Sequence, residues 1–536
     1  MYVKLDEGLT QPFVTTTGFK QGCVFSPILF NLYINKLPTV YDEKCDPVFI
    51  GTRPIHSLMW ADDCVVMSTS QAGLQRAINK TVEYFDKLDL TVNTKKTKCV
   101  IFNPTGWSPK KFPRINFHIK NQLLENVDRY TYLGAVFKPS SAVDVAAKEL
   151  LAKANRAYFS MSSLFFQNKK MKVDRAFNLF DSLITPISLY AAQFWSVSSL
   201  PASAFTSVEN LMKSWELFIP ETLNQRFCRL LLSLHRKTSR LAVLGELSRY
   251  PLLITSLIHS IKYKWTIVNK CDKNSLVYAA VNEMEEYSGL NIDCWLTRIK
   301  KIESLCNIKT ISGYTKPDIV RNNIKKTLQS IFDRFYIDQI NQSKIGDDNV
   351  NHNKLRLYAS VKGSFTREPY IDLVQSRNQR SWLSRLRCSA HHLEIEQGRW
   401  TKTPVHERFC KVCNSNQVGD EFHAVMICDI FKIKRACFLG KMESILPGFK
   451  SLSLENQFKT ILCPTKPAAI KVTNQYLRIL FLSRDKIMDG SDISMFSYPT
   501  VPVDELHYNC NCNYDWPSDV EDEWDSFSSV LDDSIT

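Results

Sequence analysis

The sequence predicts an α+β protein, and three observations lead to this fold class. Within residues 1–140, a helix, a hairpin, a second helix and two strands follow one another, which predicts an antiparallel sheet with helices on one face. From about residue 141 to 345, long amphipathic segments predict a mostly helical region. Near the C-terminal end, grouped cysteines and a histidine predict a small separate module.

Local signals justify the elements in order. Ser26 as a capping hydroxyl and Pro27 at the first helical position predict the start of the first helix. Four apolar residues of the second helix share one face: Leu74, Ile78, Phe85 and Leu88. The stretches "KCVIFN" and "YTYLGAVF" predict short strands, and Pro186 predicts a kink or an end in a later helix.

The composition is that of a folded, basic protein. Of 536 residues, 44% are hydrophobic and only 17 are Gly, which is not the composition of a disordered chain. The net charge is +14, but residues 515–536 hold eight acidic residues and no Lys or Arg. Residues 1–514 therefore carry 68 basic against 46 acidic residues, a net charge of +22. This excess predicts a nucleic-acid partner, with a merely soluble basic protein as the alternative.

The sixteen cysteines and the N-terminus predict an intracellular protein. A chain of this size needs no disulfide framework, so we expect thiols that are free or bound to metal. The start "MYVKLDEGLTQPF" lacks the apolar core of a signal peptide. No apolar run approaches the roughly 20 residues of a membrane helix, so no membrane partner is expected.

Two adjacent carboxylates, Asp62 and Asp63, stand between apolar runs in "HSLMWADDCVVMS". Asp is a favoured turn residue, so an ordinary hairpin turn is one interpretation. The other is a metal site, because Mg²⁺ prefers hard oxygen ligands and a tight hairpin between two buried strands would hold them with little freedom.

This hairpin belongs to an ordered set of motifs. "GFKQGCVFSPILFNLYIN" precedes it, and "LTVNTKKTKCVIF" and "RYTYLGAVF" follow it. In this order and spacing, the set resembles the reverse transcriptases of non-long-terminal-repeat (LINE-type) retrotransposons. The resemblance covers residues 1 to about 140 and continues more loosely through "LFDSLITPISLYAAQFW", "RLAVLGELSRYPL" and "LRCSAHHLEIEQGRW".

The resemblance implies a partial right-hand polymerase palm followed by a helical thumb-like region. The implied reaction is template-directed addition of deoxynucleoside triphosphates to the 3′-end of a DNA primer or nicked target, with RNA as template. The family also implies a ribonucleoprotein of nucleus and cytoplasm, and an endonuclease domain in the full-length parent that we do not find here. The regions expected are the palm at 1–140, the thumb or connection at 141–345, a basic helical region with the metal module at 355–440, an uncertain helical region at 441–514 and an acidic disordered tail at 515–536.

By the same resemblance, Asp62 is a direct Mg²⁺ ligand and Asp63 a secondary or positioning one, in a two-metal reaction. Trp60 stands where the family usually has Tyr or Phe. "RYTYLGAVF" corresponds to the primer-grip hairpin, with a plain core strand as the alternative.

Two further pairs correspond to positions near the nucleotide. Gln21 and Gly22 match the motif that passes close to nucleotide and template, where Gly permits a close approach; an ordinary turn is the alternative. Lys96 and Lys98 lie where the family carries a basic residue near the triphosphate, able to assist the leaving pyrophosphate; a solvated basic loop is the alternative.

One family feature is absent from the expected positions. The family has another catalytic Asp upstream of the Gln-Gly motif, and Asp6 and Glu7 lie in what reads as a connecting turn. We therefore expect a truncated chain in which catalysis is very slow or absent. The alternative function is a catalytically dead fragment that binds nucleic acid through its basic body and metal module.

A zinc site is predicted at Cys410, Cys413, His423 and Cys428, spaced C-x2-C-x9-H-x4-C. Two unrelated thiol pairs and a core histidine are the alternative, and LINE-type proteins often carry such a module. Nearby charges and aromatics suit phosphate contact and base stacking, or else a helix with solvated arginines: Arg380, Trp382, Arg385, Arg387, Arg399 and Trp400. Two other groups are not expected to bind metal: His507 with Cys510 and Cys512, and the pair His391 and His392, which are expected to be surface or packing residues.

Overall fold

The computed structural model describes residues 4–5, 8–12, 14, 18, 23–102, 115–139, 143–161, 171–309, 315–343, 354–413 and 415–490. These residues form two compact units, one of Met1–Asp347 with Asn353–Ala390 and one of His391–Thr536 with Asp348–His352. Several predictions lie outside the described residues: those for Asp6, Glu7, Gln21, Gly22, His507, Cys510, Cys512 and residues 515–536.

The strands all belong to the first unit and are two to four residues long. They are β1 (Lys4–Leu5), β2 (Gly8–Leu9), β3 (Val48–Ile50), β4 (Arg53–Ile55), β5 (Ser57–Trp60), β6 (Asp63–Val66), β7 (Lys98–Cys99), β8 (His118–Ile119), β9 (Gln122–Leu123), β10 (Glu125–Asn126), β11 (Tyr130–Tyr132) and β12 (Ala135–Phe137).

The prediction of one antiparallel sheet is wrong for the described residues. The strands pair two by two into six separate ladders, of which five are antiparallel and one, β7 with β10, is parallel. Strands this short make few ladder hydrogen bonds, so helix packing organises the region instead. Ile78 and Val82 of α2 (Gln71–Asp86) form a core with Phe117, Ile119 and Leu124.

The first helix, α1 (Ser26–Ile34), begins one residue earlier than predicted. Phe25 holds the N-cap position, so Ser26 is the first helical residue and Pro27 the second. Its apolar side chains do not enter the core, because Ile28, Leu29 and Leu32 remain 55%, 49% and 67% exposed. Only Ile34 of this helix is buried.

The rest of the first unit is helical, as predicted. Its helices are α3 (Val143–Ser160), α4 (Val173–Leu179), α5 (Thr185–Ser188), α6 (Ala192–Ser198), α7 (Val208–Lys213), α8 (Glu221–Leu232), α9 (Arg240–Leu247), α10 (Leu252–Lys270), α11 (Leu276–Gly289), α12 (Trp295–Leu305), α13 (Pro317–Gln342), α14 (Arg356–Val361), α15 (Pro369–Leu373) and α16 (Ser381–Arg387). Helix α10 packs against α6 and α13. A π-helical turn at Phe180–Ile184 interrupts the segment just before Pro186, and the helix ends at Ser188, in agreement with the predicted kink.

An ion-pair network centred on two fully buried residues ties α9 to α16. Arg387 and Glu246 are both 0% exposed and are joined at 2.9 Å, and Arg387 also contacts Glu368 at 2.7 Å. Lys362 donates to Glu368 at 2.5 Å, and Tyr370 donates to Glu246 at 2.5 Å. Two cations face two carboxylates, so the charges balance inside the core, which a buried ionic cluster requires.

The second unit contains α17 (Glu394–Trp400), α18 (Lys432–Ile445), α19 (Leu454–Leu462) and α20 (Pro467–Met488). Helices α18 and α20 pack together, and Phe438 stacks on Tyr476 with ring centroids 4.2 Å apart. The described residues thus combine short strands with many helices, which agrees with the α+β class. Among them, no single helix is long and apolar enough to cross a membrane, although α9 and α10, bent by 74°, have the length and composition when taken together.

Candidate carboxylate site and Cys/His metal centre

The β5–β6 hairpin presents the two adjacent carboxylates at its tip. Trp60 pairs with Asp63 across the ladder, which leaves Ala61 and Asp62 as the two turn residues. Ala61 has a φ of 52°, in the left-handed region that usually favours glycine. Both carboxylates are exposed, so the tip can meet a cation from solvent.

The expectation that the hairpin strands are buried is wrong. Along β5 exposed and half-buried residues alternate, and β6 is half-buried after its first residue. Trp60 is 67% exposed and Leu58 is 39% exposed. The apolar runs that suggested burial thus form an open apolar surface beside the carboxylates.

Tyr132 of the β11–β12 hairpin lies within electrostatic reach of Asp63 at this tip. Burial raises the pKa of Tyr132, and the negative charge of Asp63 raises it further. Tyr132 ends β11, directly before the turn of its hairpin. The motif "YTYLGAVF" and the Asp pair, 67 residues apart from Asp63 to Tyr130, therefore come together in the fold.

Tyr190, which none of the sequence motifs indicated as functional, stabilises the β11–β12 turn. Leu133 and Gly134 both have positive φ, 47° and 81°, as a two-residue type I′ turn requires. The Tyr190 hydroxyl donates to the Leu133 carbonyl at 2.8 Å, and a Cβ at Gly134 would lie 3.2 Å from Cε1 of Tyr190. The Tyr190 carbonyl itself accepts from the indole nitrogen of Trp195 at 2.8 Å. Tyr190 lies within the stretch "SLYAAQFW", but nothing in the sequence indicates that it contacts residue 133.

The structure separates the two candidate lysines. Lys98 forms an ion pair with Glu125 at 2.5 Å across the parallel β7–β10 ladder. Lys96 is exposed in a turn whose backbone bonds to Asn93, at 3.1 Å to the side chain and 3.2 Å to the carbonyl. Lys96 therefore offers the more accessible positive charge.

Among the described residues, the hairpin brings together two carboxylates, those of Asp62 and Asp63. Across the described part of the chain, the one group of three or more His, Cys, Asp or Glu ligands that lie together is Cys410, Cys413, His423 and Cys428. A third acidic ligand beside Asp62 and Asp63 is thus not found among these residues.

The four Cys/His residues converge in the second unit, although Cys413 and His423 are 10 positions apart in the sequence. Their ligand atoms all lie within 4.8 Å of one another, and Cys413 Sγ is 3.3 Å from His423 Nε2. A knuckle-like turn carries the first two: Cys410 N–H donates to the Gln417 carbonyl at 2.8 Å, and Phe409 pairs with Val418. A π-helical turn, His423–Ile427, carries the histidine, and Cys428 follows it directly. Three sulfurs and an imidazole in this arrangement fit a tetrahedral zinc ion.

The protonation of this cluster suits a cation. Hydrogen bonding to Cys428 lowers the pKa of Cys410, and hydrogen bonding to the Cys410 sulfur raises the pKa of His423. A thiolate is therefore favoured at Cys410 before any ion binds, and a bound metal would replace the shared protons. The other imidazole nitrogen, His423 Nδ1, lies 3.0 Å from Gln417 Oε1, which directs Nε2 toward the sulfurs.

Three of the six charged and aromatic residues proposed for nucleic-acid contact are in fact buried. Arg380 and Arg387 are 2% and 0% exposed, and Trp382 is 8% exposed. Arg387 serves the ion-pair network, and Arg385 donates to the Ser233 carbonyl at 3.1 Å while lying over the Trp382 ring. The prediction that these residues form a solvated or phosphate-binding face is therefore wrong, because they hold the helical core together.

The remaining residues of that group, and the two histidines, belong to the second unit. Arg399 pairs with Glu396 at 2.5 Å, and Trp400 is 60% exposed. His391 is buried, 3.2 Å from Glu421, which agrees with its expected packing role; His392 is exposed.

Comparison with known proteins gives the same assignment for the N-terminal region. Residues 1–137 match the family model "Reverse transcriptase (RNA-dependent DNA polymerase)". The Pol polyprotein of the type-2 retrotransposable element R2DM of Drosophila melanogaster is 27% identical over 140 residues, 25% of this chain and 13% of that protein. Pol polyproteins of the type-1 retrotransposable element R2 are 27% identical over 134 residues in Popillia japonica (24% of this chain, 22% of that protein) and 26% identical over 133 residues in Nasonia vitripennis (24% and 13%).

These matches indicate the class of protein that the N-terminal quarter of the chain resembles, which is the reverse transcriptases. More particularly, it is similar to the reverse transcriptases of non-LTR retrotransposons of the R2 kind, which confirms the assignment made from the ordered motifs. The chain spans between 13% and 22% of the length of these relatives.

Proposed function

We propose that the chain takes part in RNA-directed DNA polymerisation, the reaction of a non-LTR retrotransposon reverse transcriptase. In this proposal Asp62 and Asp63 are the carboxylates that hold Mg²⁺. The observation that carries the proposal is the exposed Asp pair on a two-residue hairpin turn, within a region similar to reverse transcriptases. When bound there, the ion supplies charge stabilisation for nucleotidyl transfer. The substrates are an RNA template, a DNA primer or target and deoxynucleoside triphosphates.

The surroundings of the hairpin support roles in holding the primer and nucleotide. Tyr132 lies within electrostatic reach of Asp63, so β11–β12 is well situated to hold a primer end beside the carboxylates. Trp60 offers an exposed ring for stacking. Lys96, exposed, is the better candidate for the triphosphate than Lys98, which is paired with Glu125. Gln21 and Gly22 remain assigned to nucleotide and template by resemblance.

Two-metal chemistry needs more than two carboxylates, so we propose that another polypeptide segment supplies the third. Exposed apolar side chains on each of two elements, α1 (Ile28, Leu29 and Leu32) and the hairpin (Trp60), support this, because each is about half exposed or more and offers apolar area to a partner. In this account residues 1–140 are a partial palm and 141–345 a thumb-like region, and the protein acts within an intracellular ribonucleoprotein.

For the second unit we propose a structural Zn²⁺ at Cys410, Cys413, His423 and Cys428. The support is the donor chemistry and the convergence of the four ligand atoms within 4.8 Å. Closed sites of this type hold small folds together, and this module would contribute to nucleic-acid binding through its exposed Trp400.

A second candidate function is a non-catalytic nucleic-acid-binding fragment. It is favoured by the pairing of only two carboxylates at the hairpin within the described residues. The net charge of +22 over residues 1–514 supports binding in either case, and predicts that affinity falls steeply as salt rises.

Primer extension on an RNA template with Mg²⁺ distinguishes the two candidates. The full chain is compared with Asp62→Ala and with Asp89→Ala, an exposed aspartate outside the hairpin, as a matched control. RNA binding by each protein is measured in parallel at low and moderate salt.

Extension that is lost in Asp62→Ala but kept in Asp89→Ala supports the polymerase. Retained, salt-sensitive RNA binding without extension by any of the three proteins supports the binding fragment. RNA binding that hardly changes with salt contradicts both, since both rest on the basic body.

A further inference from the structure

We propose that Arg484 is an outer-sphere partner of the Cys/His metal centre, and that it couples the C-terminal helix α20 to the bound ion. The inference rests on the zinc site proposed above. It assigns a role to a residue 56 positions beyond the last predicted ligand, in a region whose sequence carried no functional signal.

The contacts of Arg484 reach the first ligand directly. Its Nη1 lies 3.8 Å from Cys410 Sγ, within hydrogen-bonding range for sulfur, and its Nη2 donates to Glu394 Oε1. The same Glu394 oxygen accepts from the backbone N–H of Lys411, the residue after Cys410, at 3.1 Å. Arg484, Glu394 and Cys410 are 3%, 4% and 3% exposed.

The packing around Glu394 leaves little room for another arrangement. A Cβ added at Gly419 would lie 2.3 Å from Glu394 Oε2, so glycine is needed for the carboxylate to occupy its position. Gly419 N–H donates to the Arg408 carbonyl at 2.8 Å, which closes the knuckle that carries Cys410. The Arg484–Glu394 pair therefore fixes both the sulfur and the backbone beside it.

The charge balance gives the physical reason. Three thiolates, one neutral imidazole and a divalent ion leave one net negative charge in a buried position, which is costly unless it is offset. A guanidinium that donates to the Cys410 sulfur stabilises this thiolate locally, and the Glu394 carboxylate that holds its second branch keeps the Arg484–Glu394 pair itself neutral. Residues in this second layer orient ligands and typically alter metal affinity by about 10- to 100-fold when replaced.

The test measures metal binding to the full chain, with no need for catalysis. Co²⁺ is used as a spectroscopic probe of thiolate ligation, and Zn²⁺ affinity is measured by competition with a chelator. The variants are Arg484→Met, which removes the charge at similar size, and Arg484→Lys, which keeps the charge but loses the fork. Lys434→Met is the matched control, because Lys434 donates to Ser483 Oγ at 2.8 Å and so links α18 to α20 at the residue next to Arg484.

We expect Arg484→Met to weaken Zn²⁺ binding by about 10- to 100-fold, with the tetrahedral Co²⁺ spectrum retained and Lys434→Met close to the unchanged chain. Arg484→Lys is expected to lie between them, and it serves as the decisive variant if Arg484→Met does not fold. Unchanged affinity in both Arg484 variants would overturn the inference, as would equal weakening by Lys434→Met. Absence of thiolate–Co²⁺ absorption in the unchanged chain would instead overturn the proposed zinc site.

Discussion

Glu221, a fully buried carboxyl in the first unit, should make the stability of the chain depend on pH in an unusual direction. It is the first residue of α8 and is 0% exposed. Its oxygens accept from Asn224 Nδ2 at 2.8 Å, from Gln225 Nε2 at 3.3 Å and from Leu252 N–H at the start of α10 at 2.8 Å. Burial nonetheless dominates and raises the pKa of Glu221 from 4.5 to about 7.

The magnitude follows from this pKa shift. The folded state holds the proton more tightly than the unfolded state, so the stabilisation is complete below pH 4.5 and is lost as the pH rises through about 7. A shift of about 2.5 pH units corresponds to about 3 kcal/mol of unfolding free energy. Gln in place of Glu221 imitates the neutral acid at every pH, and Gln225 Oε1, which lacks a hydrogen-bond partner in the described structure, can accept from the new amide.

Denaturant unfolding at a series of pH values tests this prediction. The free energy of unfolding of Glu221→Gln is subtracted from that of the unchanged chain, so that other titrating groups cancel. We expect the difference to fall by about 3 kcal/mol between pH 4.5 and pH 8. A difference that is flat over this range, or that rises, would refute the reasoning.

Three other perturbations have definite expected outcomes. Glu246→Gln leaves the buried Arg387 with Glu368 as its remaining carboxylate, and it should lower the free energy of unfolding in denaturant by about 3–5 kcal/mol. A loss below about 1 kcal/mol would contradict the buried network. Gly134→Ala places a side chain at a φ of 81° against the Tyr190 ring and should cost about 1–2 kcal/mol, seen as faster amide exchange in β11–β12; exchange that is unchanged would mean the turn is not constrained. Removing metal with a chelator should lower the unfolding temperature of the second unit and leave the first unit unchanged, whereas equal effects on both would argue against a local site.

Local patterns in the sequence predicted local structure well. The face formed by Leu74 and Ile78 predicted α2, because a 3.6-residue period is a property of a single segment. The Leu-Gly step in "YTYLGAVF" lies at the turn of the β11–β12 hairpin, where glycine meets the positive φ. The Cys/His spacing likewise predicted four residues that the structure brings together.

Contacts between segments that lie far apart in the sequence could not be predicted from it. Arg387 and Glu246 are 141 residues apart, and neither carries a local sign that it is buried. The Arg-rich helix therefore suggested phosphate contact, whereas its guanidinium groups find carbonyl and carboxylate partners in the core. The hydrogen bond between Tyr190 and Leu133, which are 57 residues apart, could not be predicted for the same reason.

The predicted single sheet was wrong because strand propensity gives no information on which strands pair. Apolar strands such as β5 and β6 were expected to be buried between neighbours, but each ladder in the described structure has only two strands. This error concerns a surface within the motifs that resemble reverse transcriptases.

The central claim is that Asp62 and Asp63 hold a divalent ion when primer, template and nucleotide are bound. Mn²⁺, which is paramagnetic, can replace Mg²⁺ and be followed by electron paramagnetic resonance in the presence of an RNA template, a DNA primer with a blocked 3′-end and a complementary deoxynucleoside triphosphate. We expect bound Mn²⁺ in the unchanged chain and in Asp89→Ala, and its loss in Asp62→Asn with nucleic-acid binding retained. Equal Mn²⁺ binding by the unchanged chain and by Asp62→Asn, or no bound Mn²⁺ in either, would contradict the claim.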